Sequence, residues 1–190
     1  NETDNYWQNH YQLFFNHEFN KQVVFNTALY ITTGRGYYEQ YKAAQLFSDY
    51  GIPPLNNGNG GAETSGDLVR RLWLQNKLMG QVATLQVNKD RNEWTFGGGW
   101  STYIGQHFGE VIHTLVQPSF YKKYYHFDAN KTDANVFAKW LYALQDQRWK
   151  LFADLQYRFV SYNMKGFRNN PEVSADVQWN FFNPKAGVSF

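Results

Sequence analysis

Residues 136–162, VFAKWLYALQDQRWKLFADLQYRFVSY, decide how this chain is read. In the second half, Trp149, Leu151, Ala153, Leu155, Tyr157 and Phe159 fall on one side of an alternation, with Lys150, Phe152, Asp154, Gln156 and Arg158 on the other. Successive side chains of a strand point to opposite faces, so a period of two names a β-strand. In the first half, Val136, Ala138, Trp140 and Tyr142 form the apolar row, and Asn135, Phe137, Lys139 and Leu141 lie between them. The polar residues 145–147 read as a tight turn, which makes the stretch a long β-hairpin.

Half-buried sheets in soluble sandwiches alternate in the same way, so the pattern alone does not separate a protein core from lipid. Length and residue order do. No Gly or Pro interrupts residues 149–162, a run well beyond the about five or six residues usual for globular strands. Along the apolar row the order is aromatic, aliphatic, aromatic, as required where Trp and Tyr sit at two membrane interfaces. From Trp149 to Phe159 the strand spans about 33 Å, or about 25 Å along the normal at a tilt of about 40°, the height of the apolar band of a transmembrane barrel.

Composition agrees with a barrel better than with membrane helices. The 190 residues are 19% aromatic, yet mean hydropathy is −0.64, and no apolar run approaches the about 18 residues of a membrane helix. The absence of cysteine removes disulfides, thiolate metal sites and cysteine nucleophiles. A net charge of +2 with both signs scattered offers no stripe for nucleic acid. The polar N-terminus, NETDNYWQNH, has no basic region followed by an apolar one, so for an exported protein the expectation is either that a signal peptide has been removed or that the chain is a piece of something longer.

Taken in order, strands are expected at 7–15, 23–40, 68–87, 94–103, 121–142, 149–162 and 177–190. Residues 41–66 read as a helical turn followed by a Pro, Asn and Gly loop, 104–120 as a second irregular stretch and 163–176 as a third loop. Gly97, Gly98 and Gly99 predict a bend or a close approach to the backbone. Short turns alternating with long loops are the rhythm of outer-membrane barrels.

Four segments carry a family resemblance: NTALYITTGRGYYEQYK (26–42), TFGGGWSTYIGQHFGEVI (95–112), LFADLQYRFVSY (151–162) and NFFNPKAGVSF (180–190). Together they resemble the β-barrel of a TonB-dependent outer-membrane receptor of the Bacteroides type. The resemblance implies an all-β fold, a long antiparallel up-and-down meander of about seven strands forming part of a 22-stranded transmembrane β-barrel. It also implies location in the bacterial cell outer membrane and TonB-dependent uptake of a scarce nutrient such as a siderophore, haem or cobalamin. No plug, TonB box or closing strand is recognisable, so the chain is expected to be an internal segment. Its partners would then be the plug domain, the remaining barrel strands, the TonB complex, a small nutrient ligand and outer-membrane lipid.

If the apolar rows meet lipid, Trp94, Trp100, Trp140, Tyr142, Trp149, Tyr157 and Phe159 form the aromatic girdle, and Asn26, Tyr30, Lys139, Lys150, Asp154 and Arg158 point into the lumen or at the plug. Tyr37, Tyr38, His107, Glu110 and His113 are the candidate ligand contacts on extracellular loops. HFGEVIH holds two imidazoles and a carboxylate, but on a strand His107 and His113 stand about 20 Å apart, so no metal is expected. Asp128, Asn130 and Thr132 begin like a calcium loop, but Asp133 stands where glycine is needed and Lys139 where glutamate is needed. Gly58, Gly60 and Gly61 follow no strand and open no helix, which removes a phosphate loop. No nucleophile and base are grouped, so no enzyme activity and no cofactor are expected. The competing reading is a soluble aromatic-rich β-sandwich that binds a ligand, such as a carbohydrate.

Overall fold

The computed structural model describes residues 2–144 and 148–190, and the turn expected at 145–147 lies outside the described residues. Among the described residues nine strands form two sheets: β1 (Glu2–Asn20), β2 (Val23–Leu46), β3 (Leu55–Asn56), β4 (Ala62–Glu63), β5 (Ser65–Lys89), β6 (Asn92–Thr114), β7 (Lys122–Ala143), β8 (Lys150–Phe167) and β9 (Asn170–Ser189). The large sheet has the order β1-β2-β5-β6-β7-β8-β9, and β3-β4 is a two-stranded ribbon inside the first long connection. Every neighbouring pair is antiparallel. The seven-stranded up-and-down meander is as expected from the sequence, and the sheet is open, with β1 and β9 at its edges.

Register turns the alternation along each strand into two continuous faces. One row runs from Phe182 through Tyr157, Val136, Gly98 and Ala83 to Thr27 and Phe15. Another, on the same side, links Val188, Leu151, Tyr142 and Asn92. Both belong to an apolar face, on which Trp94, Trp100, Trp140, Tyr142, Tyr157 and Phe159 all lie. Trp149, just before β8, meets the ring of Phe190 at 4.7 Å between centroids. Asn26, Tyr30, Lys139, Lys150, Asp154 and Arg158 lie together on the opposite, polar face. The sequence rows thus assemble side by side.

Among the described residues no second layer covers the apolar face. Leu155 and Tyr157 are each 47% exposed and Trp100 is 44% exposed. The intervening Asp154, Gln156 and Arg158 are half-buried, and Val160 is buried. A soluble sandwich would have these exposures reversed, because its inner apolar faces interdigitate.

Apart from β7, which has the expected length, the long strands exceed what the sequence suggested. They run to 18–25 residues, about twice the 9–11 that cross a bilayer. The expected irregular stretch 104–120 is strand as far as Thr114, and the expected third loop 163–176 is the end of β8, a turn at Arg168 and Asn169, and the start of β9. Beyond the apolar band apolar side chains stand on both faces, Trp73 and Phe108 on one and Leu68 and Val111 on the other, so the period of two fades while the ladder hydrogen bonds continue. The helical turn expected in AAQLFSDY is a single 3-10 turn, Phe47–Tyr50.

The glycine run is a place of close approach. A Cβ at Gly97 would stand 2.5 Å from Cζ of Phe137 and 2.9 Å from the carbonyl oxygen of Ala83, and one at Gly99 would stand 2.7 Å from that of Gln81. The ring of Phe137 covers the bare backbone of the neighbouring strand, as aromatic residues do for glycines in sheets.

The buried core sits at the end of the sheet that carries the long connections. Phe47, Tyr50, Ile52 and Leu55 fold back over Leu68 and Val111, with Val116, Phe120 and Tyr124 packed around them. Leu68 and Val111 belong to the polar face, so the connection 47–64 turns over that side of the sheet.

Candidate functional site

Beneath the folded-over connection the polar face becomes an aromatic and cationic recess. Arg70 of β5 donates to Gln40 Oε1 at 2.8 Å and to Tyr50 Oη at 3.2 Å, which ties the 3-10 turn to the sheet. Tyr50 packs edge-on against Tyr124 at 4.9 Å, Tyr124 against Tyr125 at 4.9 Å, and Tyr125 stacks on Phe127 at 5.5 Å. The register shift at Gly109 and Glu110 leaves Tyr124 as the extra residue of β7. A bulge re-aims side chains, and here it sets two tyrosines side by side.

Two adjoining hollows flank this stack. One, of about 570 Å³, includes Asp49, Arg70, Tyr124 and Arg168. The other, of about 450 Å³, includes His107, Phe127, Tyr162 and Met164, and both share Tyr125 and Arg168. Neither Arg70 nor Arg168 forms an ion pair among the described residues. Burial pushes the Tyr124 phenol up to about 12 and raises that of Tyr125, with Arg70 and Arg168 pulling the other way in both. Tyr124 Oη has no hydrogen-bond partner among the described residues. Ring faces beside uncompensated guanidinium groups suit an anionic ligand with flat or sugar-like apolar surfaces.

The expected loop contacts do not gather at this recess. Tyr37, Tyr38, His107, Glu110 and His113 stand in strands rather than loops, because the ladders continue past the apolar band. His107 alone lines the recess. Tyr38 is on the polar face and donates to Glu2, which raises its phenol and lowers the Glu2 carboxyl. Tyr37 and Glu110 are on the other face, where Glu110 accepts from Trp73 Nε1 at 2.8 Å and from Tyr121 Oη at 2.6 Å. His113 Nδ1 lies 2.9 Å from the carbonyl of Pro118. No group of three possible metal ligands occurs among the described residues.

On the polar face nearer the short turns, Arg158 pairs with Asp133 across β7 and β8. Asp154 lies in register with both Lys139 and Lys185, while the Lys139 ammonium rests 5.2 Å from the ring centroid of Phe137. Sequence reasoning missed Arg70, Tyr124, Tyr125, Phe127 and Arg168. The aromatic cluster YKKYYHF at 121–127 was a visible signal, but its convergence with Arg70 and Arg168 depends on strand pairing.

A second feature escaped the sequence altogether. On the apolar face, above the band, Tyr37, Trp73, Phe108 and His126 stand in one register row. Trp73 stacks on Phe108 at 5.7 Å and Phe108 on His126 at 5.9 Å, with Arg35 over Trp73, Arg71 over Tyr37 and Lys123 over Phe108 at 4.2–4.6 Å. No protein-family model and no curated protein matches this chain.

Proposed function

We propose that the chain is a section of the wall of an outer-membrane β-barrel of the TonB-dependent receptor kind. Its apolar face meets lipid, its polar face lines the lumen, and the recess at Arg70, Tyr124, Tyr125 and Arg168 helps capture a scarce nutrient for import. The observation that carries this reading is the uncovered apolar face: one layer of strands on which Leu155, Tyr157 and Trp100 stand exposed. A patch of that extent on a protein in water would drive association, whereas acyl chains satisfy it.

The edges support the same reading. β1 is exposed along its whole length and β9 along nearly all of it, and each presents a row of unpaired backbone groups that calls for another strand. Further strands of one barrel meet that need, with a plug domain and the TonB complex as the remaining partners. The strand extensions beyond the band carry the connections away from the membrane, where the recess can meet a ligand before the lumen.

Because the chain has no cysteine, single cysteines can carry spin labels without background. In lipid vesicles, labels at Val136 and Leu155 should be relaxed by oxygen, and labels at Asn135 and Gln156 by a water-soluble nickel chelate. Chelate access at Val136 and Leu155, or access by neither agent, would overturn the barrel reading in favour of a soluble or sandwich-packed sheet. The importer part is tested by the surrounding coding sequence: a plug domain is expected in the same reading frame ahead of these strands, and a short self-contained gene would remove it.

A further inference from the structure

Two hollows on the apolar face line up along the strands. The first, of about 660 Å³, has Ala83, Gly98, Ala134 and Val136 as its floor, with Phe96 and Trp100 at its rim. Small residues on three neighbouring strands leave a trough in an otherwise bulky band. The second, of about 210 Å³, includes Trp7, Asn9, Arg35, Gln75, Lys77 and Gln106. Its lowest row, Thr33, Lys77 and Ile104, directly follows Ile31, Met79 and Thr102, so its cations begin where the aliphatic band ends.

Charge makes the second hollow specific. The nearby acids of this face are engaged: Glu39 with Arg71, Glu110 with Trp73 and Tyr121, and Asp128 with Gln106 and His126. Arg35 and Lys77 form no ion pair among the described residues. Arg35 lies 4.6 Å from the ring centroid of Trp73, which holds its guanidinium against the sheet. The side-chain amides of Asn9, Gln75 and Gln106 add donors and acceptors suited to hydroxyl groups. Along β5, from the Gly98 row at Ala83 to Lys77, the strand covers about 20 Å, or about 15 Å along the normal at barrel tilt. That is a span an acyl chain covers from its phosphate.

We propose that the two hollows form one binding site for a membrane lipid with an anionic, hydroxyl-bearing phosphate head, its phosphate at Arg35 and Lys77 and an acyl chain in the trough over Gly98. The site rests on the barrel reading above and adds to it a bound lipid of defined charge. Because the cations lie toward the end with the long connections, the lipid belongs to the outer leaflet. Basic side chains at a membrane surface each favour anionic lipid, and the trough supplies contacts that a lipid without a matching seat would lack.

Brominated acyl chains quench tryptophan on contact, and Trp100 sits on the rim of the trough. The full chain in vesicles, compared with its Trp100→Phe variant, isolates the Trp100 signal for brominated phosphatidylglycerol and brominated phosphatidylcholine. Phosphatidylglycerol should be preferred at Trp100 by about fivefold or more, and the preference should vanish in the Arg35→Gln, Lys77→Gln double variant. Ala134→Leu, which fills the trough, should lower quenching by both lipids, and millimolar inorganic phosphate should displace neither. Equal quenching by the two lipids would overturn the site while leaving the barrel intact, and displacement by phosphate would reassign the second hollow to a free anion. Quenching by neither lipid would overturn the membrane reading and the site with it.

Discussion

At Gly97 a single hydrogen atom in place of a side chain decides whether two strands can meet. Phe137 fills the space in which a Cβ would stand, and the Ala83 carbonyl lies behind it. Gly97→Val should therefore destabilise the sheet by about 1–3 kcal/mol through overpacking, read as a lower urea midpoint for the chain folded in vesicles. Tyr124 gives a second residue-level test. Its phenol is raised to about 12, chiefly by burial, so the stability from keeping it neutral is complete below the ordinary tyrosine range and is lost as pH rises through about 12. Absorbance titration should show a late tyrosinate phase, and Tyr124→Phe should shrink it by one tyrosine. Because its hydroxyl has no partner among the described residues, the same variant should be neutral or about 1 kcal/mol more stable.

Between strands, the connection 47–64 behaves as an element in its own right, held by one apolar cluster and one carboxylate. Phe47 is 1% exposed within that cluster, and Phe47→Ala should cost about 3–5 kcal/mol locally. The readout is limited proteolysis: cleavage within 47–64 should become rapid while the long strands survive. Asp67 secures the other side of the connection. It accepts from Tyr41 and from the amide of Ala44 at 2.9 Å, where the backbone turns through a φ of 51°, and these bonds hold its carboxyl below the usual range. A depressed carboxyl stabilises the fold at and above the ordinary carboxylate range and loses that contribution as pH falls through its own lowered value. Hydrogen exchange at the Ala44 amide, corrected for intrinsic rate, should accelerate on acidification, and Asp67→Asn should remove most of that dependence.

For the molecule as a whole, the test is the contrast between its two faces. In a bilayer, Leu155→Arg should cost about 2–4 kcal/mol, the penalty for a cation at mid-depth on the lipid side, whereas Gln156→Arg one residue later should change little. Equal effects at the two positions in urea titrations would remove the distinction on which the proposed function depends. The same contrast was the most legible part of the sequence. The rows containing Trp94, Trp100, Tyr157 and Phe159, and those containing Lys139, Asp154 and Arg158, were readable because a strand writes its two faces into every second residue. The strand ends and the recess were not readable, since buried or aromatic side chains stand on both faces there and alternation carries no information.

Local chemistry along the chain was enough to establish an all-β meander, its number of long strands and the membership of each face, because these follow from period, turn residues and the placement of aromatics. Register, and everything built from it, came only with the tertiary structure. Arg70 meets Tyr50, Tyr125 meets Arg168 and Trp73 meets Phe108 through hydrogen bonds between segments distant in the chain, and the connection 47–64 lies over the polar face because Phe47 and Ile52 find Leu68 and Val111 there. A strand specifies which way each side chain points, but which side chain stands beside it is decided by the neighbouring strand.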